Sequence, residues 1–241
     1  MTTDPHWLRE QLLVALAADD ELFELLTLKG GNALALVHKI GHRTSLDLDY
    51  SLRDDVAREV LEPRIFAALR RRLTARGLHL FDELFTLRPP SPAEPRWGGY
   101  RVEFKVIDST AAQQLGIEAA RRQAVRVEPN QQASVKWCIE ISRQEAIPEH
   151  EELRIADGFT CRVYTKTLIA VEKLRALLPP VFAAKDVPIG LLRHIPSQAG
   201  FHAEDWDRVR NSIPADRPRE FSFYEQFVRA ELLRLYSVLG W

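Results

Sequence analysis

Residues 28 to 50 read LKGGNALALVHKIGHRTSLDLDY, and the two ends of this stretch decide how the chain is read. At the start, Gly30-Gly31 forms a turn, and the spacing predicts a short helix over Ala33 to Lys39. A glycine pair lets the backbone approach a phosphate closely, and free N–H groups at a helix start favour an anion. At the end, Thr44 to Ser51 alternates strictly. Leu46, Leu48 and Tyr50 share one face, and Ser45, Asp47, Asp49 and Ser51 share the other. That is the pattern of a half-buried strand, and it points the carboxylates of Asp47 and Asp49 the same way. Two neighbouring carboxylates repel unless a cation lies between them. Mg²⁺ takes oxygen ligands in this arrangement and binds phosphate oxygens as well, which suits in-line displacement at phosphorus. Each half alone is ordinary: Gly-Gly is most often a turn, and Asp-x-Asp is most often solvated surface. Their succession, with apolar flanks, is more specific.

Working outward, residues 5 to 26 repeat apolar positions at helical spacing (Trp7, Leu8, Leu12, Leu16, Leu22, Phe23, Leu26), as two short helices or one bent one. Thr27 to Ala35 reads as a break and the short helix after it. Val56 to Gly77 reads as a long helix with Gly77 beyond its end. Leu78 to Leu87 reads as a strand, and Arg88 to Gly99, with four prolines, as a loop. Tyr100 to Ile107 and Ser134 to Ser142 alternate as strands. Residues 110 to 130 form a mixed connection with Arg121, Arg122 and Arg126 exposed. After about residue 160 the pattern turns helical: Thr165 to Leu178, Val187 to Arg193, Asp205 to Ser212 and Phe221 to Leu239. Residues 1–160 are thus expected to carry the sheet, and residues 161–241 to form a helical lobe.

Composition narrows the classes. In 241 residues, Lys plus Arg is 33 and Asp plus Glu is 34, a formal net charge of −1, with 46% hydrophobic and 28% charged residues. That balance excludes a disordered chain and argues against a general nucleic-acid coating role. No apolar run approaches the roughly 20 residues of a membrane span. Two cysteines do not make a disulfide framework. The early acidic residues, Asp4 and Asp19 to Glu21, do not suit a signal peptide. The expectation is a cytoplasmic protein with reduced thiols.

Three further positions are candidates. Glu140, in VKWCIEIS, shares a strand face with Cys138 and Ser142 and is a third carboxylate for the same cation. As a bland alternative, it is an exposed strand Glu. Glu103 competes less well, because Arg101 and Lys105 share its face and can pair with it. Lys173, in TKTLIAVEKLRALL, sits at the edge of a helix's apolar side and can neutralise charge on a triphosphate; alone, it reads as a snorkelling surface Lys. Asp205 and Asp207, in HAEDWDRV, stand where an acid caps a helix, orients Lys173 or serves as a general base.

LKGGNALAL…RTSLDLDY resembles the first motif of the AbiEii/AbiGii toxin family in the polymerase-β-like nucleotidyltransferase superfamily, and is similar to the MenT toxins of that group. The resemblance starts near Thr27 and reaches about Asp207 through VEKLRAL and EDWD. It implies an α+β fold, a polymerase-β-like core with a mixed sheet followed by a helical C-terminal part that completes the active site. It implies that Lys29, Gly30, Gly31 and Asn32 form the nucleotide-phosphate loop, where the family often has a small hydroxyl residue at the position of Asn32. Ser45 would stand beside the carboxylate pair, and Asp47 and Asp49 would hold Mg²⁺. Lys173 matches the family's helical-motif Lys. The following motif has a basic residue, Asp, and a second Asp three further on. Here Glu204 precedes Asp205 and Asp207 comes two later, so either acid can fill that place. The implied activity is transfer of NMP from an NTP to RNA, a tRNA 3′ end, by the toxin of a toxin–antitoxin pair with a cognate antitoxin. Arg70, Arg71, Arg72 and Arg76, with Arg121, Arg122 and Arg126, are candidate RNA contacts; equally, they are solvated faces offsetting nearby acids. Two other readings stay open: a silent module of the same fold that acts by binding, suggested by the irregular EDWD, and nucleotidyl or phosphotransfer to a protein or small molecule.

Overall fold

The structure is a computed structural model. It describes residues 4–40, 47–90, 98–124, 136–143, 147, 149–175, 220, 222, 223, 226 and 230. Two compact units divide the chain, Met1–Lys166 and Thr167–Trp241.

In the first unit, α1 (Pro5–Ala17) begins at Asp4, whose side chain accepts from His6 N–H, and α2 (Asp20–Leu25) begins at Asp19, which caps Leu22 N–H. Both are the short polar acceptors that helix starts favour. The expected break at Thr27 is instead a strand, β1 (Leu26–Lys29). An α-helical turn, α3 (Gly30–Asn32), then runs into a π-helical stretch, Ala33–Val37. β2 (Leu48–Leu52) follows, then α4 (Arg58–Ala75), which buries Leu61, Ile65, Phe66, Ala68, Leu69 and Leu73 along one side. Gly77, at φ +71°, ends it, and β3 (Leu78–Arg88) starts at once. β4 (Gly99–Asp108), α5 (Ser109–Leu115), α6 (Ile117–Gln123) and β5 (Trp137–Ser142) complete the middle of the chain. β6 (His150–Arg154) and β7 (Thr160–Tyr164) are strands that the sequence reading did not anticipate; β7, beyond residue 160, belongs to the first unit's sheet. α7 (Lys166–Arg175), which belongs to the second unit from Thr167 onward, covers the start of the predicted Thr165 helix. The later predicted helices lie almost wholly outside the described residues.

The sheet has seven strands in the order β3-β4-β5-β2-β1-β7-β6. It is mixed: β2 and β5 run parallel, as do β1 and β7, and the other neighbours are antiparallel. This is the mixed α/β architecture expected. One face is apolar. The register stacks Leu48, Ile139 and Val102 across it, then Tyr50, Ile141 and Tyr100, all buried. Helices α1 and α4 cover this face: Arg9 of α1 lies over the Trp137 ring at 5.8 Å, and Arg58 of α4 lies over the Phe85 ring at 5.8 Å. Burying each such side chain contributes about 1.5–3 kcal/mol. Strand alternation turns Lys29, Asp49, Glu140 and Arg101 to the opposite face.

Candidate active site

Lys29 on β1 pairs with Asp49 on β2, Asp49 with Glu140 on β5, and Glu140 with Arg101 on β4. One row across four central strands therefore carries two acids flanked on each side by a base. Beside it, Cys138 pairs with Glu103, and Asp47 precedes β2. Donor atoms of Asp47, Cys138 and Glu140 lie within 4.8 Å of one another. Burial first, then the nearby Asp47 carboxylate, pushes the Cys138 thiol up to about 12. It stays protonated near neutrality, which leaves the carboxylate oxygens as the donors for a cation. Oxygen ligands from Asp47, Glu140 and the adjoining Asp49 suit a hard cation such as Mg²⁺.

Gly30 has φ +72°, and a Cβ there would overlap the Asp49 carboxylate, standing 3.1 Å from Cγ. Glycine is needed on both counts. Asn32 is wholly buried, and its Nδ2 donates to Asp47 O at 2.7 Å. The residue expected in the phosphate loop thus has its side chain on the backbone of the carboxylate segment. Lys29 also has a partner within the protein: its Nζ donates to Ser142 Oγ at 3.0 Å, two strands away on the carboxylate face. Ser142 was not singled out from the sequence. Its signal was its place two residues after Glu140 on an alternating strand.

Around this centre, Ser51 Oγ shares a 2.7 Å hydrogen bond with Tyr164 Oη, so the predicted polar face is covered there and Ser51 is buried. The π-helical stretch ends at His38, whose Nε2 donates to Tyr164 O at 2.8 Å and ties that stretch to β7. Arg101 stands 3.7 Å from Glu140 and 3.6 Å from Glu103. Lys105 takes Asp82 rather than Glu103, at 2.7 Å.

The arginine clusters are largely engaged. Arg70 pairs with Glu83, Arg72 and Arg76 pair with Asp157, and Arg121 pairs with Asp82. Ser45, Arg126, Asp205 and Asp207 lie outside the described residues, and the side chain of Lys173 is not described.

Over residues 11–194 the chain matches the family described as "Nucleotidyl transferase AbiEii toxin, Type IV TA system". No curated protein matches it significantly. Among solved structures it is similar to JHP933 from Helicobacter pylori, with 17% identity and TM-score 0.45, covering 97% of this chain and 94% of that one. It is also similar to ANT(2")-Ia in complex with adenylyl-2"-tobramycin, with 16% identity and TM-score 0.30, covering 97% and 99%. No described helix is long and apolar enough to cross a membrane.

Proposed function

Because the chain belongs to the AbiEii nucleotidyl transferase toxin family, we propose that it transfers NMP from an NTP to the 3′ end of an RNA, a tRNA acceptor, with Mg²⁺ bound by Asp47, Asp49 and Glu140. The observation that carries this reading is the placement of Gly30 against the Asp49 carboxylate, in a row that continues to Glu140.

The triphosphate would lie on Gly30 and Gly31, where the missing side chain leaves room for phosphate oxygens beside Asp49. Lys29, on the carboxylate face, offsets the negative charge gathered there. Asn32 holds the backbone of Asp47 so that its carboxylate stays directed at the centre. Mg²⁺, when bound, would neutralise charge on the triphosphate and align the acceptor with the α-phosphate. The acceptor hydroxyl oxygen forms a bond to the α-phosphorus as its proton passes to a general base, for which Asp205 or Asp207 is the sequence candidate; the bond from the α-phosphorus to the bridging oxygen of the β-phosphate breaks, and pyrophosphate leaves. On the sequence resemblance, Lys173 remains the candidate for a cation in the transition state, and Asp205 or Asp207 for an acid of the same motif. The family's toxin–antitoxin setting implies a cognate antitoxin.

Purified protein incubated with total RNA and each α-labelled NTP, with Mg²⁺, tests this. RNA should be labelled with at least one NTP, and Asp47→Ala should abolish the label. Label on the protein itself with none on RNA supports transfer to a protein instead. No label and no Mg²⁺-dependent NTP binding by calorimetry supports a silent binding module.

A further inference from the structure

We propose that Arg101 binds a backbone phosphate of the acceptor strand; this rests on the reading of the site as an RNA-directed transferase. The order of residues across the polar face carries the argument. Lys29, Asp49, Glu140 and Arg101 are register partners on β1, β2, β5 and β4. Strands lie about 4.8 Å apart, so Arg101 stands roughly 10 Å from Asp49. It lies on the side of the carboxylates away from β1 and Gly30. A triphosphate seated at Gly30 leaves that side to the incoming hydroxyl and to the nucleotides attached to it.

Arg101 is also incompletely engaged. Its Nη1 is 3.7 Å from Glu140 and its Nε is 3.6 Å from Glu103, both beyond hydrogen-bond distance. Its Nε is buried and has no hydrogen-bond partner among the described residues. Buried donors are nearly always paired, so a guanidinium whose Nε is unpaired gains by turning towards a stronger acceptor. A phosphate suits the planar fork of a guanidinium better than it suits an ammonium. By contrast, Arg70, Arg72, Arg76 and Arg121 are each already held by a carboxylate. Glu140, Glu103 and the Cys138 side chain, which also hydrogen-bonds to the guanidinium, hold Arg101 beside the centre, and the 29% of its side chain that stays exposed is what a phosphate can reach.

The test is fluorescence anisotropy of a labelled single-stranded RNA carrying the 3′ strand of a tRNA acceptor stem, without NTP, between 50 and 200 mM salt. Arg101→Gln should weaken binding about 3- to 10-fold and make the slope of log affinity against log salt shallower by about 0.7, the share of one phosphate contact. Arg101→Lys should restore the slope, and the affinity of either variant for a non-hydrolysable NTP should be unchanged. Arg58→Gln, on the helix over the other face, should leave both measures as they were. In the unmutated protein, RNA should shield Arg101 from phenylglyoxal and NTP alone should not, a measurement that stands even where a variant fails to fold. Unchanged RNA affinity and slope in Arg101→Gln, or no shielding, overturns the proposal for Arg101 while labelling of RNA by the wild type keeps the transferase reading. A wild type that neither binds nor labels RNA overturns both.

Discussion

Asn32 and Asp47, fifteen residues apart, are joined by a 2.7 Å hydrogen bond from the Asn32 side-chain Nδ2 to the Asp47 main-chain carbonyl. The bond ties the helical turn after Gly30 to the segment that presents the first carboxylate. Asn32 is fully buried, so its amide has no route to water.

Asn32→Ala should therefore destabilise the protein by about 0.5–1.5 kcal/mol, the net contribution of one hydrogen bond to a part-buried carbonyl. Its denaturation midpoint should fall without a change in the denaturant slope. Transfer activity should fall further than stability does at temperatures where the variant is still folded, because Asp47 loses its anchor.

Gly30→Ala places a side chain at φ +72° against the Asp49 carboxylate. The backbone strain costs about 1–2 kcal/mol. The displaced carboxylate should reduce nucleotide transfer on the order of 10²-fold, read as kcat/KM for the NTP. Gly77→Ala is the control: it also has positive φ, but nothing lies within 4 Å of a built Cβ, so stability should drop and activity should not.

Asp47→Asn, Asp49→Asn and Glu140→Gln each take one carboxylate from the proposed Mg²⁺ site. Transfer should fall on the order of 10²-fold or more, with circular dichroism unchanged. Adding Mg²⁺ should raise the melting temperature of the wild type, because a ligand that binds only the folded state stabilises it. That rise should vanish in Asp47→Asn, and chelation should silence the wild-type enzyme reversibly.

Ser142→Ala removes the oxygen that receives the Lys29 ammonium across two strands. The net loss of such a charge-assisted bond is about 1.5–3 kcal/mol at most, less here because the pair is only partly buried. Activity should fall about 3- to 10-fold. An equal loss in Lys29→Ala and in the double variant would show that Ser142 works through Lys29.

Cys138 and Cys161 are free and buried, and burial pushes both thiols up to about 12 from an ordinary 9.0. Only thiolates react readily, so iodoacetamide at pH 8 should leave both intact until the protein unfolds. For an acid whose folded value is raised, the stabilising contribution is complete below the unfolded value and is lost as pH rises towards the folded one. Stability should therefore decline between about pH 9 and 12, and Cys161→Ser, which exchanges the thiol for a group that does not titrate there, should flatten part of that decline.

The strands and helices with a clear period were legible. β2, α4, β3, β4 and β5 came out within a few residues, since each carries a clear apolar period in its sequence, even where, as at Ser51 and Cys138, the polar face is covered. β1 was not legible, because it is four residues long and follows α2 without a gap, so that Leu26 also fits the helical spacing of Leu22 and Phe23. β6, HEELR, is a largely exposed edge strand that carries no apolar signal, and β7 is only five residues long. The arginine runs were visible as charge, but their acidic partners lie far along the chain: Glu83 for Arg70, Asp157 for Arg72 and Arg76, and Asp82 for Arg121.

The amino-acid sequence alone determined the mixed α/β class, the glycine turn and the acidic strand after it, since turn chemistry and alternation are local properties of consecutive residues. Only the tertiary structure decided that Glu140 and Cys138 join Asp47, that Lys29 reaches Ser142, that Asn32 anchors the Asp47 backbone and that Arg101 closes the row. These depend on the order and register of strands that are distant in the chain. Register is set by how the apolar face packs under α1 and α4, and no short stretch of sequence records it.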